Sequence, residues 1–253
     1  MSLKVSLITA TYNSARTLEK CMNSVLNQTY FNIEYILIDG NSSDNTLELI
    51  KTKAKDYNNI KWVSENDLGI YDALNKGLSK VTGDIVGFLH SDDYLAKSIT
   101  IENIVNAFNT HKVDGVYGNL HYVNYVDVNQ IVRNWRSQPF HQKLLNRGWM
   151  PAHPTLYLKK EIYQDNGNFN IEYDIAADYD FILRIFGNST YDFYFLPETI
   201  VKMRVGGASN HSLKNIIDKT KEDFRAAKTN GLNVPFKVIL QKNLTKIPQW
   251  FRK

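Results

Sequence analysis

The feature that most constrains this fold is the alternation of short apolar runs with amphipathic segments in the first half of the chain. Such alternation is typical of strand–helix units that build a largely parallel sheet. The strands predicted there are residues 4–10, 34–39, 60–63 and 84–89, and the helices are 15–28, 44–56 and 70–81. A doubly wound sheet binds ligands beyond the carboxyl ends of its strands, so the residues after each strand are the candidates for function.

The second half has a mixed pattern, and no linker rich in Pro or Gly separates it from the first half. Its predicted elements are strands at 115–122, 130–134, 191–196 and 199–205 and helices at 98–109, 177–187 and 212–229. We therefore predict one three-layer α/β/α domain with a mostly parallel central sheet at 1–210, followed by a helical extension at 211–253.

The distribution of charge supports a boundary near residue 210. Residues 1–210 hold 20 Lys and Arg against 23 Asp and Glu, whereas residues 211–253 hold 10 against 3. An acidic body before a basic tail argues against a nucleic-acid-binding domain. The single cysteine, Cys21, excludes a disulfide framework and fits the buried face of a helix. Because no apolar run approaches about 18 residues, a cytoplasmic protein is predicted.

Two adjacent carboxylates follow the apolar strand at 84–89. That strand leads directly into His90, Ser91, Asp92 and Asp93. Burying such a pair beside a core strand is costly unless a cation balances the charge, so a divalent metal is a natural partner. A turn that caps the next helix is the alternative interpretation.

Small polar residues follow the first two strands. The first strand ends in Thr11-Tyr12-Asn13-Ser14, and the second leads into the polar turn at 39–46. Turns of this kind can hold a nucleotide, because backbone N–H groups at a helix start bind anions, although simple helix caps have the same composition. The chain has neither a P-loop nor a complete G-x-G-x-x-G, which argues against a P-loop NTPase or a dinucleotide dehydrogenase.

Two predicted helices carry polar groups of interest. Asp72, Asn75 and Lys76 share one face of the helix at 70–81, where they could bind a polar ligand or form an exposed Asp–Lys pair. Asp178 lies on the apolar stripe of the helix at 177–187, which suits either a helix cap or a desolvated acid/base group. Asp180 lies four residues before Arg184, the spacing of a surface ion pair.

In this order and strand context, these segments resemble the family 2 glycosyltransferases of the GT-A fold. The resemblance covers most of residues 4–209 and departs from the family pattern at Gly40 and Ala177, where many members have acidic residues. The segments that carry it are 11–14, 38–46, 69–77, 91–93, Asp178 with Leu183-Arg184, and 203–209.

The resemblance implies an enzyme that transfers a sugar with inversion from a nucleotide-sugar, most often a UDP-sugar, to an acceptor hydroxyl. It implies Mn²⁺ or Mg²⁺ at Asp93, with Asp92 at the ribose or the metal, and Asp178 as the general base. His153, Gly206 and Gly207 would lie on the acceptor side, although a lone histidine is often structural. The residues implied in nucleotide-sugar binding are Thr11, Tyr12, Asp39, Asp72, Asn75, Lys76 and Asp92.

The basic tail bears on the partners of the enzyme. In residues 235–253 apolar side chains recur at helical spacing, and Pro248 should end the helix. Residues 229–253 have no acidic residue, which favours contact with an anionic membrane. The apolar residues are Phe236, Leu240, Leu244, Ile247 and Phe251, and the basic ones are Lys237, Lys242, Lys246, Arg252 and Lys253.

This pattern predicts a protein peripheral to the inner face of the plasma membrane, and the family resemblance implies a cell-surface or lipid-linked glycan as the acceptor. Packing of the apolar stripe on the catalytic domain or on a second copy is the alternative. Two other functions fit the same segments less well. A sugar nucleotidyltransferase usually has a Gly-rich basic first loop, which is absent here, and a silent binding module has no need of both Asp93 and Asp178.

Overall fold

The computed structural model describes residues 2–205, 213–244 and 249, which build one nine-stranded sheet with helices on both faces. The strands are β1 (Val5–Thr11), β2 (Ile33–Asp39), β3 (Ile60–Ser64), β4 (Ile85–Phe88), β5 (Tyr94–Leu95), β6 (Gly115–Val123), β7 (Ile131–Trp135), β8 (Tyr157–Lys159) and β9 (Phe193–Arg204). The helices are α1 (Leu18–Leu26), α2 (Thr46–Asp56), α3 (Ile70–Leu78), α4 (Thr100–His111), α5 (Lys160–Asn166), α6 (Ala177–Gly187), α7 (Leu213–Thr229) and α8 (Pro235–Leu244).

The sheet has a parallel half and a mixed half. Its order is β3-β2-β1-β4-β8-β6-β9-β5, with β7 paired to β6. The first four strands run parallel, as the alternation of strands and helices predicts. Beyond them β8 lies antiparallel to both β4 and β6, while β6 and β9 are parallel. The carboxyl ends of β1, β2 and β4 therefore meet at one edge.

Two separate cores form because successive strand residues point to opposite faces. In β1, Ile8 and Ala10 belong to the core beneath α3 and α6, whereas Val5 and Leu7 belong to the core beneath α1, α2 and α4. Every residue of β1 and β2 is buried, as strands covered on both faces must be. The predicted three-layer α/β/α architecture is confirmed.

Cys21 lies in the second of these cores, on α1. Its side chain is fully buried, and burial raises the pKa of the thiol to about 12. The Sγ atom lies 3.3 Å from the carbonyl oxygen of His90, to which the thiol donates. The prediction that Cys21 is a packing residue is confirmed.

The two strands predicted at 191–196 and 199–205 are one strand, β9. Its pairing with β6 shifts register, because Tyr117 pairs with Phe195 while Asn119 pairs with Thr199. The extra residues of β9 form a bulge that contains Pro197, which cannot donate to a ladder. The proline thus interrupts the pattern without ending the strand, and the prediction of two strands was wrong.

Several elements are too short to leave a periodic pattern. These are β5, β8 and the 3₁₀ turns at Gln142–Arg147 and His153–Thr155, together with the seven-residue helix α5. Strand β8 is central despite its three residues, since it joins β4 to β6. Its position comes from tertiary pairing, which sequence periodicity does not report.

The C-terminal helices pack on the body of the enzyme. Ala226, Ala227 and Ile239 belong to the same core as α6. Lys242 on α8 is 2% exposed, and its Nζ lies 2.8 Å from Asp223 Oδ1. A helix was predicted here and is confirmed over Pro235–Leu244. The predicted boundary at residue 210 lies outside the described residues.

Lys242 is therefore not available to a membrane surface, contrary to the prediction.

Asp180 was also misjudged as a surface residue. It pairs with Arg184 at 3.0 Å, but its side chain is buried and its Oδ1 accepts a hydrogen bond from Asn230 at 2.9 Å. Helix α7 covers this face of α6, which a helix-by-helix interpretation of spacing does not detect.

Candidate active site

The three predicted turns meet at the carboxyl-end edge of the parallel strands. The hydroxyl oxygens of Ser14 and Ser91 lie 2.9 Å apart and join the turn after β1 to the turn after β4. Asn13 joins the turn after β1 to the turn after β2, because its backbone N–H donates to Ser42 Oγ at 2.9 Å and its Oδ1 accepts from the Ser43 N–H at 2.9 Å. One continuous polar floor results.

Two neighbouring residues on this floor differ in their freedom to bind a ligand. Tyr12 is 63% exposed, so one face of its ring is open to a planar partner. Asp39 is fully buried, and its carboxylate accepts hydrogen bonds from the Ser42 N–H, the Ser42 hydroxyl and the Ser64 hydroxyl. Asp39 thus fixes the turn after β2. Thr11 Oγ1 is buried and has no hydrogen-bond partner among the described residues.

Asp93 is the most unusual carboxylate of the site. It is fully buried, and neither oxygen has a hydrogen-bond partner in the part of the chain that the structure describes. Burial raises the pKa of its carboxyl well above the usual value, the charge of half-buried Asp92 raises it further, and the nearby backbone N–H of Arg204 and the charge of its guanidinium oppose the shift. A buried carboxylate without donors is costly, so a ligand that supplies positive charge is expected.

Arg204 is a site residue that the sequence did not single out. Its guanidinium lies 5.6 Å from the ring centre of Tyr94 and donates to the backbone carbonyl of Asp92. It comes from the end of β9, more than 100 residues after Asp92 in the chain. The segment at 203–209 was part of the family resemblance, and that was the only available signal.

The acidic pair fits a divalent cation that is completed by substrate. No group of three or more His, Cys, Asp and Glu side chains in the described ranges forms a metal site by itself. Mg²⁺ and similar hard cations are commonly held by one or two carboxylates together with phosphate oxygens and water. The two carboxylate oxygens of Asp93 have no hydrogen-bond partner among the described residues, and Asp92 is next to it, so this pair meets that requirement.

Asp178 lies at the amino end of α6 and is half-buried. Its Oδ1 accepts from the Tyr179 N–H at 2.8 Å, and the hydroxyl of Tyr71 lies 3.3 Å from the same atom. The Tyr71 hydroxyl is also 2.7 Å from the carbonyl oxygen of Ile175. These contacts fix the orientation of the carboxylate through Oδ1, while Oδ2 has no hydrogen bond among the described residues.

Two imidazoles lie in the neighbourhood of Asp178. The rings of His90 and His153 are 6.2 Å apart, and His153 packs against Phe88 and Phe169 with ring distances of 5.4 and 5.5 Å. Burial lowers the pKa of His153 to about 4, and the charge of Asp178 opposes the shift. Burial also lowers the pKa of His90, opposed by Asp92 and Asp178. Both rings are therefore neutral at pH 7, and His153 Nε2 is buried without a partner among the described residues.

The predicted trio on α3 forms contacts within the protein. Asp72 Oδ2 accepts from the Leu68 N–H at 3.0 Å and lies 3.4 Å from Lys76 Nζ, so the Asp–Lys pair of the alternative prediction forms, although both side chains are half-buried and not exposed. Asn75 exchanges two hydrogen bonds with the backbone of Phe169, at 2.9 and 3.0 Å. These side chains hold neighbouring loops. Gly206 and Gly207 lie outside the described residues.

Residues 6–167 match the family model described as glycosyl transferase family 2. This chain belongs to glycosyltransferase family 2. The enzyme is thus a glycosyltransferase, as the motifs predicted. Within residues 2–205, 213–244 and 249 no helix is both long and apolar enough to cross a membrane.

Curated relatives of this family 2 glycosyltransferase have related names. It is 28% identical over 217 residues to the "PGL/p-HBAD biosynthesis glycosyltransferase" of Mycobacterium tuberculosis, a match that covers 85% of this chain and 80% of the relative. It is 29% identical over 221 residues to the chondroitin synthase of Pasteurella multocida, covering 87% of this chain but 22% of that protein.

Solved structures establish the fold of the glycosyltransferase as GT-A. S. aureus TarS matches with a TM-score of 0.69 and 21% identity over 96% of this chain, which spans 43% of the TarS chain. The mannosyltransferase PcManGT from Pyrobaculum calidifontis, solved with GDP-Man and Mn²⁺, matches with a TM-score of 0.69 and 19% identity, covering 99% of this chain and 74% of that one. The predicted GT-A fold is confirmed.

Proposed function

We propose that this glycosyltransferase transfers a sugar with inversion from a UDP-sugar to an acceptor hydroxyl. The observation that carries the proposal is that two open carboxylates, Asp93 and Asp178, lie at one site. Their segments meet at two imidazoles: the Asp93 N–H donates to the His90 carbonyl oxygen at 2.9 Å, the rings of His90 and His153 lie 6.2 Å apart, and the charge of Asp178 raises the pKa of both rings against the effect of burial. A metal ligand and a general base are the two acidic functions that this reaction requires.

On the donor side, Asp93 and Asp92 would hold Mn²⁺ or Mg²⁺. When bound, the ion neutralises the charge that develops on the departing diphosphate. Tyr12 offers an exposed ring for the nucleobase. Thr11 Oγ1 is buried and has no hydrogen-bond partner among the described residues, so it can form a hydrogen bond with a ligand. Arg204 anchors the Asp92 carbonyl and thereby holds the acidic pair in place. TarS solved with UDP-GlcNAc supports a donor of this class, and the mannosyltransferase solved with GDP-Man and Mn²⁺ supports the metal.

On the acceptor side, Asp178 acts as the general base through its open Oδ2. It takes the proton of the acceptor hydroxyl while the acceptor oxygen bonds to the anomeric carbon and the bond from that carbon to the diphosphate breaks. Tyr71 and the Tyr179 N–H keep the carboxylate in position. His153 would border the acceptor and present its Nε2 to a sugar hydroxyl. The proposed acceptor is a cell-surface or lipid-linked glycan, and the chondroitin synthase among the relatives is by its name an enzyme of glycan synthesis.

A panel of UDP- and GDP-sugars with Mn²⁺ tests the donor class, because a ligand that binds the folded protein raises its melting temperature. Asp178→Asn should keep this stabilisation and reduce release of the nucleoside diphosphate by about 10²- to 10⁴-fold. Asp174→Asn, a nearby exposed change outside the site, should leave release unchanged. Release by Asp178→Asn at half the wild-type rate would overturn the base assignment.

Membrane contact is proposed through the exposed face of α8. Phe236, Leu240 and Leu244 are 72%, 51% and 53% exposed, so this apolar stripe does not pack on the catalytic domain. A cavity of about 500 Å³ on the same helix is lined by Arg147 and Lys237, which adds positive charge beside the stripe. Apolar side chains next to cations suit the surface of an anionic bilayer.

Co-sedimentation with vesicles tests this contact. The enzyme should bind vesicles that contain phosphatidylglycerol and not vesicles of phosphatidylcholine alone, and Phe236→Ser/Leu240→Ser should abolish binding. Ile217→Ser, which changes an exposed apolar side chain of α7, is the matched control. Concentration-dependent dimerisation that the double variant abolishes, without any vesicle binding, would instead assign the stripe to a second copy of the chain.

A further inference from the structure

The side chain of Asp67 reaches into space that Gly40 leaves open. A Cβ atom on residue 40 would lie 2.5 Å from Asp67 Oδ2 and 3.4 Å from Tyr12 Cδ2. The carboxylate and the aromatic ring therefore lie around the same point, above the end of β2. Because Gly40 has no side chain, an acidic group from a different loop occupies this place.

The position of this carboxylate is fixed by its own loop. Asp67 Oδ1 accepts a hydrogen bond from the Gly69 N–H at 3.0 Å, and Gly69 has a φ of 116°, a conformation that favours glycine. The neighbouring Asn66 accepts a hydrogen bond from Asn41 at 3.1 Å, which joins the loop to the turn after β2. Oδ2 has no hydrogen bond to any described residue and is left for a ligand.

Asp39 and Asp67 therefore differ in what they can offer a nucleobase. The carboxylate of Asp39 already accepts three hydrogen bonds from Ser42 and Ser64 and is fully buried. Asp67 is half-buried and has an unused acceptor oxygen beside the exposed ring of Tyr12. A flat ring on Tyr12 would place its edge within reach of that oxygen.

We infer that Asp67 selects the nucleobase of the donor by accepting a hydrogen bond from a ring N–H. This inference rests on the proposed function. An ionised carboxylate has acceptors only, so it pairs with the ring N–H of uracil, thymine or guanine. Cytosine and adenine present an acceptor nitrogen at the same place, which repels the carboxylate. The assigned donors are uridine, thymidine or guanosine diphosphate sugars.

Calorimetric titration of the full chain with UDP, GDP, CDP and ADP in Mn²⁺ tests the inference. Wild type should bind UDP or GDP at least about tenfold more tightly than CDP and ADP. In Asp67→Asn the amide keeps the Gly69 hydrogen bond but can donate to the base, so the ratio of UDP to CDP affinity should fall about tenfold or more. Asp56→Asn, at the exposed end of α2, should keep the wild-type ratio.

A second substitution tests the geometry without changing Asp67 itself. Gly40→Ala adds the Cβ that would displace the carboxylate, and it should lower the same ratio by about threefold or more. Gly187→Ala, where a Cβ would meet no atom within 4 Å, is the control. A fall with Gly40→Ala and not with Gly187→Ala supports the assignment.

The failures can be told apart. If wild type binds UDP selectively and both Asp67→Asn and Gly40→Ala keep its ratio of UDP to CDP affinity within twofold, the role of Asp67 is wrong while the proposed function stands. A preference of wild type for CDP or ADP also overturns the inference. If no nucleoside diphosphate binds wild type, the proposed donor class itself is wrong and the inference falls with it.

Discussion

Two buried carboxylates, one at the amino ends and one at the carboxyl ends of the parallel strands, have opposite surroundings. Glu34, at the amino end of β2, is 3% exposed, and Asp93, beyond the carboxyl end of β4, is fully buried. Glu34 is surrounded by donors from three segments, whereas Asp93 has no hydrogen-bond partner in the described part of the chain. The donors to Glu34 are Lys61 at 2.8 Å, Lys4 at 3.2 Å, Ser6, Thr82 and Gly83.

The difference in hydrogen-bond donors distinguishes a carboxylate that stabilises the fold from one that needs a ligand to balance its charge. Burial opposes ionisation of Glu34, but Lys61 and the hydroxyl and backbone donors outweigh it and lower the pKa of this carboxyl. At Asp93 burial is the larger effect, and the pKa is raised despite Arg204. The protein thus completes one site by itself and leaves the other to substrate and metal.

The largest expected effect comes from Asp93→Asn. The amide keeps the shape of the side chain but has no charge for a metal, so turnover should fall about 10³-fold, or about 4 kcal/mol. Without nucleotide and metal the variant should melt no lower than wild type, because a costly buried carboxylate has been removed. Steady-state kinetics and thermal melts in EDTA measure both. Retention of a tenth of the activity would refute the metal assignment.

Glu34→Gln should act on stability rather than on turnover. Removing one charge from a buried network leaves its partners unsatisfied and should lower the free energy of unfolding by about 3 kcal/mol. Glu48→Gln, which breaks only the exposed pair with Lys51, should change it by less than about 0.5 kcal/mol. Urea unfolding measures both, and the folded fraction of Glu34→Gln should keep its specific activity.

The sequence was sufficient to predict the parallel half of the sheet and the edge where ligands bind. Strands β1 and β2 are apolar throughout, and the rule for the carboxyl ends of strands brought the turns at Thr11, Asp39 and Asp92 together. The contacts of Arg204 with Asp92 could not be predicted in this way. Such contacts join residues about 100 positions apart, and periodicity reports which side chains are buried but not what they meet.

The tail shows the same limit. Its pattern predicted a helix with an apolar stripe and free lysines, and the helix is present in α8. The stripe residue Phe236 faces solvent, while Val238, Ile239 and Lys242 face the protein. The reason is the buried carboxylate of Asp223 on α7, which binds Lys242 and thereby sets the rotation of the helix. No feature within 235–253 reveals that partner.

His153, near the candidate site, and Glu34, at the other end of the strands, should affect the stability of the protein over different ranges of pH. The folded-state pKa of His153 is lowered to about 4, so the unfolded chain binds its proton first, and stability is lost as pH falls from about 6.5 towards about 4. The pKa of Glu34 is also lowered, but from an ordinary value near about 4.3, so the stability it provides is lost only below that pH.

Replacing His153 should therefore weaken the pH dependence of the melting temperature above pH 4 only. In His153→Gln the fall in melting temperature between about pH 6.5 and pH 4 should shrink by roughly 6 to 12 degrees, about 3 kcal/mol, while the loss below pH 4 remains. His141→Gln, on the exposed residue before the 142–147 turn, is the matched control. An unchanged profile would contradict the buried neutral state of His153.

The smallest expected effect concerns the positioning of Asp178. In Tyr71→Phe the hydroxyl 3.3 Å from Asp178 Oδ1 is lost and the ring remains, so kcat should fall roughly threefold with little change in the KM for the donor. Tyr163→Phe, which packs on Phe181 of the same helix with rings 4.9 Å apart, should leave kcat unchanged. Equal losses in both variants would mean that α6 responds to packing rather than that Tyr71 orients the base.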